Sequence, residues 1–363
     1  MTTAWIFPGQ GSQYVGMGRD LYDHQPAARE VFDFADHVLG FDLTRLCFEG
    51  PEAELMATEN AQPALLTTSI ATLRVLHTHA DVEVLPDLLV PHAVAGHSLG
   101  EYSALVAGGS LDLETALRLV RRRGELMAAA HEGTMAAVIG LDELTLDNVC
   151  RQVQAELGAM VVIANYNTPD QLVISGAAHA VEQASVLARQ HGARRVFPLR
   201  VSAAFHSPLM AAAAQKMRQI LHAAPLNDLR IPLIGNVNAE PVQRASEVRS
   251  ELEAQIDAPV RWTASVHGMA ARGIQTFVEI GPGRVLSGLV KRIAPAARQI
   301  TLGTLAELEA MRASRNGHRP QGLPPPNGPH SASEPNGLPA PPAPPSTNGT
   351  PPVAQEVPQA RAQ

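Results

Sequence analysis

HAVAGHSLGEYSALVAGG, at positions 92–109, is the stretch of this sequence that decides the fold. Residues 92–96 form a short apolar run typical of a strand, and 99–107 continue as a helix that ends at two glycines. Between them, Gly96-His97-Ser98-Leu99-Gly100 has the G-x-S-x-G spacing of a tight turn that presents a serine at a helix N-terminus. Backbone N–H groups there can stabilise a developing oxyanion. The pattern predicts a nucleophilic Ser98, with an ordinary glycine-rich turn as the alternative.

A serine nucleophile needs a base, and His206 is the histidine whose position best suits that task. It ends a strand-like run and precedes Ser207-Pro208, a pair that can cap and open a helix. A helix N-terminus also disfavours the imidazolium, which keeps the ring available as a base. The alternative is that His206 is a capping or core histidine.

The third candidate is Arg123, the last of three consecutive arginines in a helix predicted over 112–130. At about 100° per residue, Arg121 and Arg122 lie outside the apolar stripe of this helix, whereas Arg123 lies at its edge. The stripe is formed by Leu113, Ala116, Leu117, Val120, Gly124 and Met127. An arginine facing the core requires an acceptor. That acceptor is either a carboxylate of the same chain or the substrate.

Outward from these residues, the chain alternates short apolar runs with amphipathic ones, which predicts an α/β fold. Between 135 and 201 the order changes to β-α-β-β-α-β, the signature of a ferredoxin-like unit. The α/β rhythm then resumes, so this unit reads as an insertion. We expect a body formed by 1–132 and 205–312, an inserted subdomain at 133–204, and a separate tail at 313–363.

The tail is predicted from composition, because about half of the chain's 29 prolines follow Asn316. A segment with so few large apolar residues cannot offset the roughly 1–2 kcal/mol per residue that ordering costs. We interpret it as a disordered linker of polyproline character.

Charge and cysteine content exclude several classes of protein. The 363 residues carry 28 basic and 35 acidic side chains, a net charge of -7, which disfavours nucleic acid or an anionic membrane as the main partner. Cys47 and Cys150 are too few for a disulfide framework or a four-thiolate zinc site, and no histidine pair has convincing metal-ligand spacing. No signal peptide or membrane-spanning run is visible. We therefore expect a cytoplasmic protein without a metal site.

Seven separated motifs, in this order, resemble the malonyl-CoA:acyl-carrier-protein transacylases and the acyltransferase domains of polyketide synthases. They are FPGQGSQ (7–13), GHSLGEYSALV (96–106), RLVRRRGELM (118–127), NYNTP (165–169), FHSPLM (205–210), QIDAPVRW (255–262) and VEIGPGRVL (278–286). The resemblance covers about residues 4–303. It implies an α/β-hydrolase-like body with an inserted ferredoxin-like subdomain, and it implies malonyl-CoA and an acyl carrier protein as partners, with no cofactor of the enzyme's own.

The same resemblance implies roles for individual residues. Ser98 would be the nucleophile, His206 its base, and Gln255 the residue that orients the His206 ring. The backbone N–H groups of Gln10 and Leu99 would form the oxyanion hole. The remaining positions would bind substrate: Arg123 the acyl carboxylate, with His97, Asn165, Asn167, Phe205 and Met127 lining the acyl and pantetheine channel.

The sequence departs from the family's usual pattern in two places, and these leave open whether the pathway is fatty-acid or polyketide synthesis. Residues 203–206 read Ala-Ala-Phe-His, matching the malonyl-selective form His-Ala-Phe-His at three of four positions, and the proline-rich tail is unusual for a housekeeping enzyme. Two other functions are alternatives to malonyl transfer. One is a hydrolase that clears stalled acyl carrier proteins, with water in place of the thiol. The other is a non-catalytic scaffold that recruits partners through its tail.

Overall fold

The computed structural model describes residues 2–79, 89–201 and 203–313. Strands in these residues are β1 (Thr3–Phe7), β2 (Ala93–Gly96), β3 (Thr134–Ile139), β4 (Val161–Thr168), β5 (Gln171–Gly176), β6 (Arg195–Pro198), β7 (Leu233–Ile234), β8 (Pro241–Val242), β9 (Thr276–Ile280) and β10 (Arg298–Leu302). The predicted tail lies outside the described residues, apart from Ala313.

Helices cover most of the remaining described chain. They are α1 (Arg19–His24), α2 (Pro26–Leu39), α3 (Leu43–Glu49), α4 (Glu52–Met56), α5 (Thr58–His79), α6 (Gly100–Gly108), α7 (Leu113–Ala128), α8 (Glu143–Leu157), α9 (Ala178–Gln190), α10 (Ala211–Ala223), α11 (Ala245–Gln255), α12 (Trp262–Ala271), α13 (Val285–Ile293) and α14 (Leu305–Ala313). A 3-10 turn, Pro208–Met210, precedes α10.

The strands form two sheets of an α/β fold, the class that the sequence predicted. The larger is a six-stranded sheet in the order β10-β9-β1-β2-β7-β8, parallel except where β8 pairs with β7. Every residue of β1 is buried: Trp5 and Phe7 belong to one apolar cluster, and Ala4 and Ile6 to the other. Such two-sided burial is what a parallel sheet between helical layers requires. The carboxyl ends of β1 and β2 therefore meet at one edge, below α6.

The smaller sheet is antiparallel, has the order β4-β5-β3-β6, and is reached through β3, α8, β4, β5, α9 and β6 in turn. It has its own apolar cluster, which includes Val138, Val153 and Ile174. It joins the rest of the chain where β4 runs beside Val260: Tyr166 N donates to the Val260 carbonyl at 2.9 Å, and Val260 N donates to Ala164 at 2.8 Å. This junction brings the end of β4 to the end of the larger sheet.

One element boundary differs from the sequence prediction. The last strand of the β-α-β-β-α-β unit predicted between 135 and 201 ends at Pro198, because proline has no N–H and the chain then turns, with Val201 N donating to the Leu199 carbonyl. In the larger part of the chain, α5 begins at Thr58 and contains Pro63.

Candidate active site

Ser98 lies in the turn between β2 and α6 with φ 51°, a left-handed conformation that non-glycine residues rarely adopt. The flanking glycines are required by space. A Cβ on Gly96 would lie 1.9 Å from the Gly100 carbonyl carbon, and a Cβ on Gly100 would lie 2.1 Å from the Phe7 carbonyl oxygen. Asn236 holds the turn from behind, with its Oδ1 accepting from Ser98 N at 2.7 Å and its Nδ2 donating to the Gly96 carbonyl at 2.7 Å. The turn geometry predicted from G-x-S-x-G is therefore present.

The structure brings His206 to Ser98. Its Nε2 is 2.7 Å from Ser98 Oγ, and its Nδ1 lies 2.9 Å from the Gln255 carbonyl and 3.2 Å from the Ala258 carbonyl. Two carbonyl acceptors at Nδ1 require a proton there, which leaves Nε2 as the acceptor for the serine hydroxyl. His206 also has a left-handed backbone, φ 57°, just before Ser207 caps the 3-10 turn.

Burial lowers the pKa of His206 to about 3, and the nearby Arg123 cation contributes the second largest part of that shift. The carbonyl of Gln255 opposes the shift. The ring is therefore neutral near pH 7, as a general base must be. Desolvation is the largest cause of this lowered pKa.

Gln255 contacts His206 through its backbone carbonyl, not through its side chain. The side-chain Nε2 donates to the Ser98 carbonyl at 3.0 Å and to Glu101 Oε2, while Oε1 accepts from Arg123 Nη2 at 2.9 Å. The amide orients the arginine, and the main chain orients the base.

Arg123 is 1% exposed, as the helical wheel indicated, whereas Arg122 lies at the surface with Glu125. Its Nη1 donates to Gln62 Oε1 at 2.9 Å, and its Nη2 donates to Ser98 Oγ at 3.1 Å. Its Nε is buried and has no acceptor among the described residues. The Tyr102 ring centroid is 5.8 Å from the guanidinium carbon. A buried cation with a spare donor, touching the nucleophile, is suited to an anion on the reacting group.

The amides of Gln10 and Leu99, predicted as the oxyanion hole, donate no hydrogen bond within the described part of the chain. The loop after β1 lies directly against the nucleophile turn, because a Cβ on Gly9 would be 2.3 Å from the His97 carbonyl oxygen. The Gln10 side chain is held by Thr58 Oγ1. Unused N–H groups beside Ser98 are the kind of donors that an oxyanion would need.

The remaining predicted site residues differ in the contacts that their side chains form. His97 Nε2 lies 2.9 Å from Asn167 Oδ1, and its ring packs against Trp262 with centroids 5.7 Å apart. Asn165 is buried, yet its side chain forms no hydrogen bond with other described residues. Phe205 is buried next to His206 in sequence. Met127 is also buried, with its sulfur 3.5 Å from Gln62 Nε2, so it supports the partner of Arg123.

Four residues that the sequence analysis missed complete the site: Gln62, Glu101, Asn236 and Glu251. Glu101 is fully buried on α6, and its Oε1 accepts from Asn236 N at 2.6 Å. A lone carboxylate in the otherwise apolar run GEYSALVAG was a signal that could have found it. Asn236 and Gln62 carry no such signal, because amides are common in loops and on helix surfaces.

Residues 2–79, 89–201 and 203–313 contain neither a candidate metal site nor a helix that could span a membrane. No group of three or more His, Cys, Asp or Glu side chains there could hold a metal ion. None of the helices described is both long and apolar enough to cross a membrane. Burial raises the pKa of the Cys150 thiol to about 12 and that of Cys47 still further, so neither is an activated nucleophile.

Comparison with known proteins agrees with this geometry. The family model described as acyl transferase domain matches residues 4–307. A malonyl CoA-acyl carrier protein transacylase of Bacillus subtilis is 47% identical over 309 residues, covering 84% of this chain and 95% of that protein. A solved acyl-carrier-protein S-malonyltransferase from Bartonella henselae is 43% identical, with TM-score 0.82, covering 87% of this chain and 100% of that one.

A third relative was solved together with a carrier protein. It is a malonyl-transacylase in complex with its type II PKS acyl-carrier protein; it is 40% identical, with TM-score 0.81, and covers 85% of this chain and 98% of that one. The family model spans most of the chain, and these relatives are similar over nearly their whole length. This chain belongs to the acyl transferase domain family.

Proposed function

We propose that this protein transfers a malonyl group from malonyl-CoA to the phosphopantetheine thiol of an acyl carrier protein, and so supplies extender units for fatty-acid or polyketide synthesis. The observation that carries the proposal is the position of Arg123: a buried cation whose Nη2 lies 3.1 Å from the nucleophile oxygen. The hydroxyl, its neutral base and a carboxylate receptor occupy one cleft. The names of the relatives point to the same substrate and acceptor.

The first half-reaction loads the enzyme. Ser98 Oγ attacks the thioester carbonyl while His206 Nε2 accepts the hydroxyl proton, so a C–O bond forms and the carbonyl electrons move to oxygen. The Gln10 and Leu99 amides stabilise that oxyanion. The tetrahedral intermediate collapses, the C–S bond breaks, and His206 returns the proton to the departing CoA sulfur.

The second half-reaction runs the same steps in reverse order with a different thiol. His206 accepts the proton of the phosphopantetheine thiol, sulfur attacks the malonyl-Ser98 ester, and the proton returns to Ser98 Oγ. The proton is thus conserved over the cycle. These residues supply the base, the nucleophile and the electrostatic stabilisation of the acyl transfer, so we propose that the enzyme uses no cofactor of its own.

Arg123 distinguishes this function from its two rivals. When the malonyl carboxylate binds Arg123, the guanidinium exchanges its contact with Ser98 Oγ for a charge-assisted one and frees the hydroxyl for attack. A hydrolase that clears varied acyl chains has no use for a buried cation beside its serine. A scaffold has no use for the 2.7 Å contact between Ser98 and His206.

The remaining predicted residues are assigned to the channel. Phe205 stands next to the base and would crowd the α-carbon of a methylmalonyl group, which favours malonyl. His97 and Asn167, joined by a hydrogen bond, and Asn165 would line the pantetheine path. Met127 would support the acyl pocket through Gln62.

We also propose the finer architecture predicted from sequence: an α/β-hydrolase-like body of 1–132 and 205–312, and a ferredoxin-like subdomain of 133–204. The parallel order β9-β1-β2-β7 with the nucleophile after β2 supports the first assignment. The β-α-β-β-α-β path and the β4-β5-β3-β6 sheet support the second.

The test is acyl-enzyme formation, followed by intact-protein mass spectrometry after mixing with malonyl-CoA. Wild-type protein should acquire one malonyl group and lose it on addition of holo carrier protein. Ser98→Ala should stay folded and acquire none.

The matched control is Ser103→Ala, five residues further along, because the Ser103 hydroxyl is buried with no partner in the described chain and its loss should not prevent loading. A malonyl adduct on Ser98→Ala would overturn the assignment, and release of free malonate at a rate independent of carrier protein would favour the hydrolase.

A further inference from the structure

Two carboxyl groups lie side by side beneath the nucleophile turn and take no part in the proposed acyl transfer. Glu101, on α6, is completely buried, and Glu251, on α11, is 7% exposed. They accept from consecutive backbone amides: Asn236 N donates to Glu101 at 2.6 Å, and Val237 N donates to Glu251 at 2.8 Å. Within the described chain, neither forms a salt bridge with a basic side chain.

Two buried carboxyl groups in contact cannot both be ionised, so the pair retains one proton. Burial, and secondarily the charge of Glu251, raises the pKa of Glu101 well above its usual range. Burial raises the pKa of Glu251 as well. A proton shared between the two carboxyl groups forms a hydrogen bond between them, and Glu101 keeps oxygen lone pairs for other donors.

One of those donors is the side-chain amide of Gln255. Its Nε2 donates to Glu101 Oε2 and to the Ser98 carbonyl, so its Oε1 necessarily faces the opposite way, toward Arg123 Nη2 at 2.9 Å. A glutamine amide has a donor end and an acceptor end of nearly the same shape. Without an acceptor at Glu101, nothing but the Ser98 carbonyl prevents the amide from turning its NH2 toward the guanidinium.

We propose that Glu101 is a positioning residue for selection of the acyl carboxylate: by accepting from Gln255 Nε2, it fixes the amide so that Gln255 Oε1 holds Arg123 against the nucleophile. This inference rests on the proposed function, in which Arg123 binds the malonyl carboxylate. Glu101 contacts neither substrate nor reacting atoms. It acts through Gln255, whose main-chain carbonyl at the same time accepts from His206 Nδ1. Selectivity and base orientation thus depend on one residue at the end of α11.

The decisive variant is Glu101→Gln. The new amide oxygen must still accept from Asn236 N, so its NH2 replaces the oxygen that faced Gln255 Nε2. Two NH2 groups would then meet, so the Gln255 amide loses its anchor on Glu101 and no longer holds Arg123 in place. We expect kcat/KM for malonyl-CoA to fall about tenfold or more, while kcat/KM for acetyl-CoA falls much less. The malonyl:acetyl ratio is the readout, because a loss of stability alone lowers both values together.

A second buried glutamate provides the control for this variant. Glu279→Gln is the matched control: Glu279 is also fully buried and accepts from Leu286 N and Ser287 N, far along the chain from Gln255. It should lower the melting temperature without changing the ratio. If Glu101→Gln does not fold, Glu101→Asp keeps the acid pair but withdraws it from Gln255, and it should shift the ratio in the same direction.

The outcomes separate this inference from the function on which it rests. If Arg123→Ala abolishes the malonyl preference but folded Glu101→Gln and Glu101→Asp keep it, the positioning role is wrong and the function stands. If Arg123→Ala leaves the preference unchanged, both are wrong. A ratio lowered in Glu101→Gln and Glu101→Asp but unchanged in Glu279→Gln supports the inference.

Discussion

The two sheets of this protein contribute to the site in different ways. The six-stranded sheet supplies the nucleophile turn directly, because Ser98 follows β2 and the loop after β1 lies against it. The four-stranded sheet has its own core and forms one hydrogen bond with the site's described residues, in which Asn167 Oδ1 accepts from His97 Nε2. We therefore expect the parallel sheet to carry the proposed chemistry and the antiparallel unit to influence which acyl groups and acceptors bind.

Backbone strain follows the same division. Within the described chain, Ser98 and His206 are two of three non-glycine residues with positive φ, at 51° and 57°. Both stand where an element of the larger layer begins or ends, and buried hydrogen bonds hold both in place. Such strain persists only where the surrounding structure over-determines it. The antiparallel unit has no such residue among those described.

The largest expected effect is on Arg123, at the centre of the first region. Arg123→Ala should lower kcat/KM for malonyl-CoA at least tenfold, because charge-assisted hydrogen bonds to a carboxylate contribute roughly 1.5–3 kcal/mol. Acetyl transfer should be retained or improved, since acetyl-CoA leaves the buried cation without its anion. Steady-state kinetics with both esters measures the change.

The control for this prediction is Arg122→Ala, on the same helix but at the surface beside Glu125. This substitution should leave kcat/KM nearly unchanged for both malonyl-CoA and acetyl-CoA. If Arg123→Ala lowered kcat/KM for both esters equally, the arginine would be a structural residue, and its proposed binding of the malonyl carboxylate would be wrong.

The next effect concerns pH. With the pKa of His206 lowered to about 3, the ring is the free base throughout the range from pH 5 to 7. An ordinary histidine would be only about 3% neutral at pH 5, a roughly thirtyfold loss of base. Single-turnover loading of Ser98 should therefore show no acid limb near pH 6.5. Because the Arg123 cation lowers the pKa of His206, Arg123→Ala should move the acid limb toward higher pH.

An acid limb near pH 6.5 in the wild-type protein would contradict the assignment of a neutral, buried His206 as the base. Measuring loading, and not the complete cycle, keeps ionisation of the acceptor thiol out of the result.

The sequence could predict much of this molecule, and for physical reasons. G-x-S-x-G is visible because only glycine fits the space around Ser98, and Arg123 is visible because helical periodicity places a charge on an apolar face. Family membership, inferred from the order of the motifs, is confirmed by the match over residues 4–307. The network behind the turn was not predictable. Asn236, Gln62 and the side-chain orientation of Gln255 depend on contacts between residues more than 60 positions apart, and local patterns do not encode these.

The smallest expected effect is on the second region, and it tests whether the antiparallel unit contributes to the cleft at all. Asn167→Ala removes the acceptor 2.9 Å from His97 Nε2, and so frees the His97 ring that packs against Trp262. Loss of one such hydrogen bond costs about 1 kcal/mol, which corresponds to a change of about fivefold in kcat/KM. We expect this fivefold loss in kcat/KM for transfer to holo carrier protein, mainly through KM, because neither residue reaches Ser98 Oγ or His206. Gln152→Ala, on the exposed face of α8 in the same unit, provides the control and should change nothing. Equal values for the wild type and Asn167→Ala would mean that the antiparallel unit adds no functional hydrogen bond, and the division between the two sheets would then be complete.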